Sequence, residues 1–133
     1  MCSSSITICS SLSSRKAVIS YEGNEHLKVQ IEGFDINITK EIWLYTDADA
    51  LNQFFQKLGS KDSKWDGCIE WKSVEGDFSI SVTCSALGKI AFRVAIEGLQ
   101  GNSEAWNAQI NIEADFGILK EVARQSKSCF MKA

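Results

Sequence analysis

Along most of the chain, apolar and polar residues alternate with a period of two, the pattern of strands that bury one face and wet the other. Ala17, Ile19 and Tyr21 share one side of residues 15–21, ahead of the polar turn Glu22-Gly23-Asn24-Glu25. Leu27, Val29 and Ile31 then alternate with Lys28, Gln30 and Glu32. Gly33 interrupts, and Phe34, Ile36, Ile38, Ile42 and Leu44 resume against Asp35, Asn37 and Thr39. This predicts two strands joined by a bend or bulge at Gly33. After Tyr45 the period lengthens. Leu51, Phe54, Phe55 and Leu58 fall at helical spacing, with Thr46 to Asp49 as a candidate capping box and Gly59 as a stop, which predicts a helix over 48–58.

The two-residue rhythm returns at Cys68–Val74, and Glu75-Gly76-Asp77 turns the chain. Phe78, Ile80, Val82 and Cys84 then alternate with Ser79, Ser81, Thr83 and Ser85. Beyond the Leu87-Gly88 turn, Ile90, Phe92, Val94 and Ile96 alternate with Ala91, Arg93, Ala95 and Glu97. A looser loop framed by Gly98 and Gly101 leads to Trp106, Ala108, Ile110 and Ile112 against Asn107, Gln109, Asn111 and Glu113. Short turns exclude parallel pairing, so these strands form an antiparallel meander. Asp115 is a candidate cap for a second helix, over about 116–126, with Ile118, Leu119, Val122 and Ala123 as its apolar stripe.

Six or seven strands at about 4.8 Å spacing make a sheet roughly 30 Å wide, whereas two helices cover only some 20 Å. The expected fold is therefore α+β, a strongly curved antiparallel sheet of six to seven strands with two helices on its apolar face. The length of 133 residues fits one domain. The expected division is a Ser-rich segment over 1–14, a single α+β domain over 15–127 and a loose tail over 128–133. Ile6-Thr-Ile8 offers an edge strand within the first segment, and Phe130 can dock from the tail.

Charge narrows the partners. Fourteen basic against seventeen acidic residues give −3, which leaves no broad basic surface for nucleic acid. From Gly117 on, four basic residues and one acid give +3, leaving −6 on residues 1–116. Five cysteines form no CxxC pair and are odd in number, arguing against a zinc ribbon and a closed disulfide framework. The N-terminus lacks the basic start and continuous apolar run of a secretory signal, and no stretch reaches the ~20 apolar residues of a membrane span. A cytoplasmic protein with reduced thiols is expected.

Catalytic signatures are missing: no phosphate cradle, nucleophile elbow, HExxH or calcium loop occurs. The single histidine, His26, lies in a polar turn. Scattered acids such as Glu70 and Glu113 are the candidates for an acid–base pair, against the plainer reading of a solvated face. The expectation is no enzyme, no cofactor and no metal. Trp65 and Trp71 are candidates for ligand stacking, against core packing. If the meander pairs in order, Ser79, Ser81, Thr83, Arg93, Asn107, Gln109, Asn111 and Glu113 share one face. That face is rich in hydroxyls and amides and poor in lysine, which suits protein recognition. The wet side of a two-layer fold is the alternative.

Trp65-Asp-Gly67, Trp71-Lys-Ser73-Val-Glu75-Gly76, the turn at Gly88 and Trp106 resemble the motif order of a bacterial family catalogued as domain of unknown function 6228. The resemblance spans roughly residues 27–125 and implies the fold and a bacterial cytoplasmic setting, with no activity or cofactor to carry over. Members often carry a histidine beside the glycine corresponding to Gly88, where this chain has Leu87 and Lys89. The leading expectation is a non-enzymatic protein-interaction module, for example an immunity-type inhibitor. A small-molecule or saccharide binding module is the alternative, and a carboxylate-dependent enzyme the third.

Overall fold

The structure, a computed structural model, describes residues 5–130. Eight strands and two helices follow one another as β1 (Ser5–Cys9), β2 (Lys16–Tyr21), β3 (His26–Gly33), β4 (Ile36–Trp43), α1 (Ala48–Gly59), β5 (Ile69–Lys72), β6 (Phe78–Cys84), β7 (Ile90–Gly98), β8 (Trp106–Ala114) and α2 (Ile118–Phe130). The class is α+β, but the expected single curved sheet is corrected. There are two four-stranded antiparallel meanders, β1-β2-β3-β4 and β5-β6-β7-β8, here called sheet A and sheet B.

The mismatch between sheet width and helix cover is resolved by division. The segment from Leu44 to Cys68 leaves sheet A and builds α1, so β5 pairs with β6 and not with β4. The sheets approach at the other end of the strand order, where Ser11 N–H donates to the Glu113 carbonyl at 2.8 Å. The inner faces of both sheets and the apolar sides of both helices form one core, with Phe55, Phe78 and Phe92 fully buried in it. The helices meet closely at Gly59, where a Cβ would lie 2.4 Å from that of Ala123.

A polar link crosses the interior. Asp77, 4% exposed, accepts the Ser73 hydroxyl at 2.7 Å and pairs with Lys40 at 3.4 Å, joining β4 to the start of β6. Lys40 interrupts the apolar inner side of β4, an inward charge of the kind that blunts an edge strand.

Local expectations need four adjustments. Gly33 and Ile36 are paired partners, so the bend is a two-residue hairpin with Phe34 and Asp35 at its tip. Phe34, placed by periodicity among the buried residues, is 97% exposed. The capping box does not form: the N-cap is Asp47 and not Thr46, it makes no side-chain cap bond and accepts the Trp71 indole N–H at 3.3 Å, and Asp49 accepts the Gln53 amide at 2.8 Å. Finally, α2 continues through Phe130, whose ring lies 5.0 Å from Tyr21, so the described part of the expected loose tail is helical. Residues 131–133 of that tail fall outside the described residues, as do residues 1–4 of the Ser-rich segment.

Candidate functional site

The outer face of sheet B is where the sequence concentrates hydroxyls and amides. Ladder register sets Ser81 opposite Arg93 and Arg93 opposite Asn111, and sets Thr83 opposite Ala91 and Ala91 opposite Glu113. These two rows form the floor of a groove of about 840 Å³. The walls come from sheet A: the β1–β2 loop, Ser10–Arg15, and the tip of the β3–β4 hairpin, Phe34 and Asp35.

The serine-rich loop is a built structure. Ser10 Oγ accepts the N–H groups of Leu12 and Ser13, each at 3.0 Å, and Ser13 Oγ accepts that of Arg15 at 3.2 Å. Ser14 Oγ accepts the Phe34 N–H at 2.9 Å, which ties the two walls together. Short hydroxyl side chains bond to nearby backbone and so hold a turn without a hydrophobic core. Arg15 Nη1 donates to the Asn111 carbonyl at 3.1 Å and Ser11 Oγ to that of Glu113 at 3.2 Å, fixing the loop against the edge of β8.

The groove is amphipathic. Its floor is hydroxyl, amide and two charges, while its walls carry Leu12 and Phe34, 71% and 97% exposed. Cys68 lies at the floor's margin with Sγ 3.1 Å from Ser81 Oγ. The four described cysteines, Cys9, Cys68, Cys84 and Cys129, are all free thiols.

Five of the eight expected face residues line the groove: Ser81, Thr83, Arg93, Asn111 and Glu113. Ser79, Asn107 and Gln109 share the face but lie along it, outside the groove. The walls were not foreseen, although their signal was present as the density of serine before Arg15 and the apolar Phe34 beside Gly33.

The tryptophan pair does not form a stacking platform. Trp71 is buried edge-on against Phe78, with centroids 5.7 Å apart. Trp65 is half-buried against Phe116, and its buried indole nitrogen has no partner among the described residues. Aromatic rings do stack at the corner of sheet A, where the exposed Trp43 ring lies between His26 and Tyr45 at 5.3 and 4.9 Å. The Tyr45 hydroxyl donates to Glu75 at 2.6 Å, and this bond to a carboxylate raises the phenol above the ordinary tyrosine range.

Glu70 and Glu113 lie on β5 and β8, the opposite edges of sheet B. Three strand spacings and a two-residue offset put their backbones about 16 Å apart, against the roughly 5–9.5 Å at which two carboxylates act on one bond. Among the described residues no group of three His, Cys, Asp or Glu side chains gathers as metal ligands, and no helix is long and apolar enough to cross a membrane.

The chain belongs to a family of unknown function (DUF6228), whose profile it matches over residues 1–133, in agreement with the resemblance carried by its tryptophan and glycine motifs. No curated protein and no solved structure matches it.

Proposed function

We propose that the protein is a non-enzymatic interaction module that holds a segment of a partner protein in the groove over sheet B. The observation that carries this reading is the pairing of an open, hydrogen-bonding floor with two exposed apolar side chains on a fixed loop pair. Leu12 and Phe34 are costly to leave in water and gain from being covered. The small floor residues lose little rotamer freedom on docking, and a polar floor with an apolar contact matches the mixed chemistry of a non-obligate interface. An immunity-type inhibitor is one protein of this kind.

A photo-crosslinking residue placed at position 34 or 83, and as a control at Thr39 on the outer face of sheet A, tests it in cells. The same protein adduct is expected from 34 and 83 and not from 39. Adducts that are absent at both groove positions, or that do not differ from the control, would refute the proposal. The groove volume also falls in the range of about 300–1,000 Å³ typical of small-molecule sites. Displacement of the adduct by a purified metabolite would favour that second reading.

A further inference from the structure

The groove floor holds one cation and one anion that form no ion pair, although Glu113 lies within the field of Lys89, which is itself paired with Asp115. The side chains of Arg93 and Glu113 take part in none of the ion pairs formed by the described residues. The other two charges lining the groove, Arg15 and Asp35, are 3.8 Å apart and offset each other. Register makes Arg93 and Glu113 diagonal neighbours, since Arg93 faces Asn111 while Glu113 faces Ala91. Diagonal neighbours on adjacent strands stand roughly 7–8 Å apart. Ala91, beside them, adds only a methyl group, so the floor stays open to an incoming chain.

An extended polypeptide has a matching repeat. Its side chains at i and i+2 point to the same side and lie about 6.8 Å apart. From this coincidence of spacing and charge we infer that the partner segment lies extended and presents an acidic and a basic side chain two positions apart, the acid on Arg93 and the base on Glu113. The residue between them points away from the floor, toward the side where Leu12 and Phe34 stand exposed. The inference rests on the groove being the docking site and adds what the occupant must carry. It also accounts for an acidic body that leaves a guanidinium unpaired at the centre of this floor.

End-blocked fluorescent heptapeptides test it by anisotropy at low ionic strength, with Asp-Leu-Lys, Asp-Lys-Leu or Asn-Leu-Gln at the centre. The first is expected to bind about tenfold more tightly than the other two, a difference of about 1.4 kcal/mol, and to lose that advantage as salt screens the charges. Arg93→Glu and Glu113→Lys should each abolish the advantage with unchanged thermal unfolding. The double exchange should shift the preference to a peptide with Lys-Leu-Asp. Equal binding of the three peptides, or binding of none, overturns the inference. If the adduct at position 34 persists in that case, the docking groove stands and only its charge code falls. If the adduct is also missing, both fall.

Discussion

Sheets A and B have the same strand count, the same meander order and inner faces that contribute to one core, yet their outer faces are made differently. On sheet A the outward rows carry long charged side chains in opposite-sign register: Lys16 faces Glu32 at 4.0 Å, and Lys28 is paired with Glu41. On sheet B the charges Glu70, Lys72, Glu97 and Glu113 lie toward the margins, and the middle is Ser79, Ser81, Ala91 and Ala95 around a single Arg93. Long charged chains are costly to immobilise, so the first face is suited to remain in water. Small hydroxyl and methyl groups have little to lose, so the second is suited to being covered. The walls raised by Ser10–Arg15 and Phe34 stand over sheet B alone.

The comparison can be broken most forcefully through its shared half. Phe78→Ala, on the fully buried inner face of sheet B, should cost about 3–5 kcal/mol in chemical denaturation. Phe34→Ala, at the exposed hairpin tip, should stay within about 0.5 kcal/mol while removing the partner adduct. A stability effect between these two is expected at Gly98, where a Cβ would lie 2.2 Å from the Trp106 indole. Gly98→Ala must displace that ring, at about 1–3 kcal/mol, with a change in tryptophan emission. Ser81→Lys and Thr39→Lys place the same charge on the two outer faces. Each should change stability by less than about 0.5 kcal/mol, and only Ser81→Lys should abolish partner binding. Loss of binding in both would erase the distinction between the faces.

The smallest effect concerns pH at the aromatic corner of sheet A. The Tyr45 phenol is raised in the folded state by its bond to Glu75, so whatever that bond contributes is present below the ordinary tyrosine range and is lost as pH rises through the folded-state value. Glu75→Gln should let Tyr45 ionise at lower pH, read by phenolate absorbance. An unchanged titration would mean that the carboxylate does not act on the phenol.

Strands, helices and the polar floor were legible because each repeats: Phe78, Ile80 and Val82 mark one face as plainly as Ser79, Ser81 and Thr83 mark the other. Separation into two sheets was not legible, because periodicity identifies which face of a strand is buried but not its neighbour. Only the long excursion through α1 decides that β4 and β5 do not pair. The groove walls were hidden for a related reason. Ser10, Ser13 and Ser14 act through hydrogen bonds to their own and a neighbouring loop, and single short side chains leave no periodic trace. Periodicity misplaces Phe34 because it extends an apolar alternation by one residue into a turn. Trp71 was ambiguous until Asp47, twenty-four positions away, proved to hold its indole nitrogen.

The loop that walls the groove also guards a seam. By occupying the carbonyls of Asn111 and Glu113 with Arg15 and Ser11, it fills one end of an otherwise open strand margin where a second polypeptide would find a template for ladder growth. Changes that loosen this stretch to reshape the groove would therefore also invite self-association. On the proposed reading, the scope for new partners at the serine loop is bounded by the need to stay apart from other copies of this chain.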